Sequence, residues 1–240
     1  MLPEHFYFTG AGWLGYFIYM PIALLVIGLI YRLLLRRISL LVIRCPVMIV
    51  TSIVLITWPL WGALAISYQA EKLCKEQGGL HVYKTAETDG LVGPASTKRW
   101  IEYGFSYIER SGKNNKKYRF TLKDGEEVNE EIPEYTSRYF SRGGKLEQID
   151  KYFSRIRYYV EDKYAQNILG ELVTIIIYPS HFDFFVLSLL PVEYNPWHCG
   201  DEAPENKGSY SPGEKKYLYS YADVIKATLK PKISDKGKEK

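Results

Sequence analysis

Two long apolar stretches without a single charge, joined by a wholly basic hinge, constrain this chain more than any other feature. Phe6 to Tyr31 contains no Asp, Glu, Lys or Arg, and neither does Cys45 to Ala70. Between them stand Arg32, Arg36, Arg37 and Arg44, with no acid. A helix crosses a hydrocarbon core with about 20 apolar residues, and each stretch is long enough. Short basic loops stay on the cytoplasmic side of a membrane. The expected topology is two spans with the hinge, residues 32–45, inside and both chain ends outside. In a bacterial inner membrane this puts residues 71–240 in the periplasm.

The first stretch does not have the form of a cleaved signal peptide. That would carry Lys or Arg before a core of roughly 7–15 residues, then a small-residue cleavage site. Here the first Lys or Arg follows the core, so both helices are expected to be retained. Trp13, Tyr16 and Tyr19, with Tyr31, suit the two ends of the first span. Trp58, Trp61 and Tyr68 suit the outer end of the second. Neither span holds an ionisable residue of the kind that marks a proton or ion path. Small residues at Gly12, Gly15 and Gly28, and at Gly62, Ala63 and Ala65, allow close helix packing.

About 170 residues follow the second span, enough for one domain with its own core. The chain carries 31 basic and 27 acidic side chains. Four Arg and one Glu fall at or before Ala70, leaving 27 and 26 for the rest. A soluble part this close to neutral lacks the surplus positive charge that nucleic acid or strongly anionic lipid demands.

There are three cysteines. Cys45 falls at the cytoplasmic edge of the second span and is expected to be a free thiol. Cys74 and Cys199 both fall on the oxidising side, where an even pair reads as a disulfide.

The soluble part reads as an antiparallel α+β domain. Residues 70–77 extend the second helix, and Gly78-Gly79 ends it. Strands are expected at 80–86, 102–110, 118–123, 135–142, 151–162 and 168–179. Asp124-Gly125 is the turn that pairs EEVNEEI back onto YRFTLK. Gly143-Gly144 closes the 135–142 strand. HFDFFVLSLLP (181–191) fits either a strand or a short buried helix, and 191–213 reads as a loop pinned by Cys199. Residues 218–230 have helical spacing, with Leu218, Tyr221, Ile225 and Leu229 near one face and Pro231 as the stop. The resulting organisation is an anchor over 1–70, a domain over 71–230 and a disordered charged tail over 231–240.

No pattern specifies chemistry. The four His and three Cys lack zinc-ligand spacing, so no metal or other cofactor is expected. There is no G-x-S-x-G elbow, no S-x-x-K and no phosphate loop. Paired carboxylates at Glu126-Glu127, Glu130-Glu131 and Glu161-Asp162 sit in polar turns and strand ends, where a solvated face is the ordinary explanation. The compositional oddity is tyrosine, 21 in 240 residues. Tyr suits a half-buried pleated surface, and it also suits a protein interface. FSRIRYYVE places Phe153, Arg155, Arg157 and Tyr159 on one face of a strand and Ile156, Tyr158 and Val160 on the other. The first set is the candidate interface and the second the candidate core.

The text EKLCKEQGGLHVYKTAETDG carries a resemblance. Cys74, Gly79, Val82-Tyr83-Lys84-Thr85 and Asp89-Gly90, then Ser137-Arg138-Tyr139, Leu169-Gly170-Glu171 and Cys199, resemble a family of uncharacterised proteobacterial membrane proteins over most of residues 70–200. The resemblance implies that both cysteines belong to the fold and implies no activity. The two full spans and the long tail depart from the family's pattern.

The expected function is non-enzymatic: an accessory or assembly subunit of a larger envelope complex, touching lipid and other membrane subunits. A membrane-anchored immunity or inhibitor protein is the first alternative, and a periplasmic enzyme with an unrecognised site the second. The topology has a direct test. Alkaline phosphatase fused after Lys240 should be active and a cytoplasm-only reporter there silent; the reverse pattern would invert every compartment above.

Overall fold

The computed structural model describes residues 3–33, 41–94, 96–190, 194–200 and 220–232. It is α+β, with two long apolar helices first, then a mixed sheet with short helices, and a C-terminal helix. The chain divides into two compact units. One comprises Met1–Glu76 with Gln148–Ser154 and Ile176–His198; the other comprises Gln77–Glu147, Arg155–Ile175 and Cys199–Lys240.

The first unit is built on α1 (Gly10–Leu33) and α2 (Leu41–Gln77). Both are long and apolar enough to cross a membrane, and little of either is buried. A soluble core helix would be mostly covered. Each helix runs through its prolines, Pro21 in α1 and Pro46 and Pro59 in α2. Pro59 has no N–H, so the Leu55 carbonyl four residues back loses its helical donor. The Tyr19 hydroxyl supplies one, donating to that carbonyl at 2.8 Å, and Tyr16 donates to Ile56 O at 3.3 Å. Arg36 and Arg37 of the hinge lie outside the described residues. Arg32 sits in the last turn of α1, and the Arg44 guanidinium lies 4.3 Å from the Tyr31 ring centre and donates to its hydroxyl.

The second unit opens with β1 (Gly79–Val82), β2 (Ala86–Thr88), β3 (Gly90–Val92) and the short helix α3 (Thr97–Glu102). Then come β4 (Tyr107–Ser111), β5 (Lys117–Lys123), β6 (Glu126–Ile132), β7 (Tyr139–Gln148), β8 (Phe153–Asp162) and β9 (Asn167–Ile177). The sheet order is β1-β9-β8-β7-β3-β4-β5-β6. α4 (His181–Leu189) belongs to the first unit, and β10 (Trp197–Cys199) pairs with β9. After α5 (Tyr221–Thr228), β11 (Leu229–Pro231) pairs with β2.

The sheet is mixed, not antiparallel as expected. β3 runs parallel to both β4 and β7, and β11 runs parallel to β2. The expected strand over 102–110 begins only at Tyr107. Residues before it close α3 and turn at Gly104, whose φ of +125° lies outside the strand region. The expected 80–86 strand splits into β1 and β2. Gly143-Gly144 lies within β7 and does not end it. A Cβ at Gly143 would stand 2.2 Å from the Tyr158 ring, so glycine is there to let that ring lie across the strand. Pro231 lies in β11, so the chain stays paired past the expected helix end, and Lys232 meets Asp89 at 3.3 Å. The rest of the tail, Leu218 and most of the 191–213 loop lie outside the described residues.

Other expectations hold. The hairpin β5–β6 turns on Asp124 and Gly125, both at positive φ, with Lys123 opposite Glu126. β6 is an edge, and four glutamates on an exposed strand deter pairing with another chain. On β8, Val160 is buried and Tyr158 packs on the core, as the alternation predicts. The ambiguous 181–191 run is helical from His181, with the Ser180 hydroxyl accepting from Asp183 N–H at its start.

The core joins Leu91, Ile108, Val160, Leu169 and Leu172 of the strands to Trp100 of α3 and Val224 and Ile225 of α5. Gly170 lies under α5, where a Cβ would meet the Thr228 methyl at 2.5 Å. Elsewhere in the sheet a fully buried carboxylate, Glu109, ties β4 to the approach to β7. Arg119 donates to it at 2.8 Å, the Thr136 hydroxyl at 2.8 Å, and the Thr136 and Ser137 N–H groups at 2.9 Å each. Burial pushes the Glu109 carboxyl up, but the Ser137, Arg119 and Thr136 donors outweigh it and hold it below the usual range.

A depressed carboxyl stabilises the fold above its unfolded pKa, about 4.3 for glutamate, and that stability is lost as pH falls toward the folded value. Urea unfolding of the full chain in detergent should show Glu109→Gln to be less stable by roughly 2 kcal/mol at pH 7. Its acid loss should be shallower than that of the wild type. Identical acid slopes for the two would show that Glu109 takes no part in that loss.

Candidate interaction surfaces

Two groups of residues stand out. The first lies where α4 meets α1. Thr9 precedes the first turn of α1, and its Oγ1 accepts from Gly12 N–H at 2.8 Å, which caps the helix. The same hydroxyl donates to Asp183 Oδ1, and Thr9 N–H donates to Oδ2 at 2.9 Å. Asp183, from α4, is fully buried. Its carboxyl sits at the positive end of the α1 dipole. Two donors from one residue, together with that dipole, offset only part of the cost of removing the group from water.

The approach is possible because the facing residues are glycines. A Cβ on Gly12 would fall 2.3 Å from Asp183 Oδ1, and one on Gly15 would fall 2.4 Å from a Val186 methyl. Gly62 of α2 similarly faces Ser180, whereas Gly28 faces nothing within 4 Å. Of the small residues expected to bring the two long helices together, Gly12 and Gly15 face α4 and Gly62 faces its capping residue. The sequence carried a signal for this: Ser180-x-x-Asp183 is a helix-start pattern, and Asp183 is the lone acid in an apolar run.

The second group lies on the sheet. His81 of β1 is opposite Glu171 of β9. The Tyr83 hydroxyl donates to Glu171 Oε1 at 2.7 Å, and Arg157 of β8 donates to Oε2 through Nε and Nη2 at 2.8 and 2.6 Å. Burial raises the Glu171 carboxyl, but Tyr83 and Arg157 outweigh it and hold it low. The His81 ring lies nearly parallel to that of Tyr83, and Arg157 sits 5.9 Å from the Tyr159 ring centre. Arg155 pairs with Glu147 at 2.7 Å.

Arg155, Arg157 and Tyr159 are half-buried, and so are Ile156 and Tyr158 between them, so burial does not alternate over this stretch as the sequence pattern predicts. Phe153 is not among them, being fully buried. It stands at the first residue of β8, where Asp150 accepts from the N–H groups of residues 152 and 153 and turns the chain inward. Alternation reads which side a residue takes but not where cover on that side begins. Tyr83 and His81 were missed because β1 lies far from β8 and β9 in sequence, and nothing local ties it to them.

Cys74 and Cys199 are disulfide-bonded, and Cys45 is a free, exposed thiol. Among the described residues, no group of three His, Cys, Asp or Glu is placed to hold a metal ion. A shallow depression at the β8–β9 turn is lined by Glu161, Asp162, Lys163 and Gln166. Asp162 there already accepts from Arg138 and from the N–H groups of Tyr164 and Ala165. The chain matches no protein-family model, no curated protein and no solved structure.

The Thr9 hydroxyl both caps α1 and serves the buried Asp183. Thr9→Val should cost about 2 kcal/mol in thermal or denaturant unfolding of the full chain in detergent micelles. Thr9→Ser, which keeps the oxygen, should be near neutral. Equal stability for the two variants would show that the hydroxyl is dispensable.

Proposed function

We propose that this chain is a non-enzymatic accessory or assembly subunit of a bacterial inner-membrane complex. In this reading α1 and α2 span the bilayer, the basic hinge is cytoplasmic, and the sheet faces the periplasm. The observation that carries it is the Tyr83–Glu171–Arg157 array. Its charges are paired within the chain and its Tyr83 ring is left outward, 61% exposed. The opposite side, through Gly170, Leu172 and Leu80, is packed beneath α5. Side chains fixed by their own hydrogen bonds lose little freedom on binding, and Tyr and Arg are the residue types that dominate protein contacts.

The test uses the full chain purified in mild detergent, with its stoichiometric partners identified. Tyr83→Ser with Tyr159→Ser leaves the Arg157–Glu171 pair in place, whereas Arg157→Ala would strand a buried Glu171. The double variant should stay folded and lose its partner, each truncation costing about 2 kcal/mol or more at a hot spot. A folded double variant that retains its partner undiminished places the contact elsewhere.

A further inference from the structure

We infer that α4 is a third membrane-embedded element, a short helix that dips into the outer leaflet beside α1 and sets its own apolar face against acyl chains. The inference rests on the reading of α1 and α2 as membrane helices and adds to it.

Depth is the first argument. Asp183 lies at Gly12 and Val186 at Gly15, so three residues along α4 match three along α1, and the two helices advance together. Phe182 stacks on Phe8 and meets the Tyr19 ring edge-on at 6.0 Å. Tyr19 is nine residues inside α1, about 14 Å along its axis at 1.5 Å per residue. α4 therefore runs alongside the apolar body of α1, past its first turn. On α1 the same stretch turns Leu14, Phe17 and Ile18 outward, each more than half exposed.

Polarity is the second argument. The start of α4 is polar, where His181 Nε2 lies 3.1 Å from Lys151 Nζ. Beyond Asp183 no charged residue appears until after Pro191. Phe184, Phe185 and Leu189 are 64%, 60% and 67% exposed. The one hydroxyl in this part, Ser188, donates back to Phe185 O at 2.7 Å and asks nothing of water. A bare apolar face of this kind needs cover. Its bare side chains lie at the depth where Leu14, Phe17 and Ile18 of α1 are exposed too, and acyl chains are the occupant that the membrane reading of α1 supplies there.

The test is collision accessibility of nitroxide labels. The full chain carrying Cys45→Ser is labelled singly at Phe185→Cys, Leu189→Cys, Phe17→Cys and His5→Cys. It is then reconstituted into phosphatidylcholine–phosphatidylglycerol vesicles. Labels at positions 185 and 189 should match position 17, with high oxygen and low nickel-chelate collision, and should differ from position 5. Nickel-accessible labels at 185 and 189 beside a dry label at 17 overturn the inference and leave the two-span reading intact. A wet label at 17 overturns both. Low collision with both reagents at 185 and 189 means protein cover, a second copy included, and overturns the inference as well.

Discussion

A β-strand has two edges and two faces, and β9 has all of them occupied. Its edges pair with β1 and β8, and β10 adds to it. Toward α5 it offers Gly170, the only residue type that admits Thr228 so close, with Leu172 beside it. On the other side it carries Glu171, whose charge is tolerable there because Arg157 and Tyr83 both donate to it. A buried carboxylate deprived of Arg157 would be costly. The arrangement around β9 thus fixes where β1, β8 and α5 can lie. The short text Leu169-Gly170-Glu171 compresses this into a core residue, a gap and a charge.

Local features of the fold were legible in the sequence. The uncharged runs, the Asp124-Gly125 turn, the alternation of β8 and the helical spacing of α5 all act over a few residues, where side-chain chemistry decides geometry. Non-local features were hidden. The parallel pairing of β2 with β11 joins segments from opposite ends of the second unit, and nothing in either segment names the other. EYGFSYIER alternates well enough to read as a strand, yet Gly104 takes a conformation that breaks it. A Cβ there would stand 3.0 Å from the Pro231 ring, so a segment from the far end of the chain helps to set the turn. Tertiary context overrode the period.

The candidate surfaces divide in the same way. Arg155, Arg157 and Tyr159 could be grouped from the sequence because one strand holds them. Phe153 was misjudged because burial along a face ends where other chain segments end. The Thr9–Asp183 bond spans 174 positions. Gly12 and Gly15 announced that something must approach closely, but glycine records only the absence of a side chain, and the partner's identity lay in α4.

The late position of α5 and β11 has a consequence for synthesis. Val224, Ile225 and Leu229 are fully or almost fully buried, and they complete a core otherwise assembled from residues 80–172. A ribosome delivers those earlier strands first. Until residue 231 has emerged, Leu80, Leu172 and the bare edge of β2 have no cover, and such surfaces are adhesive. The nascent domain must therefore wait in an unclosed form, with both long apolar helices already made.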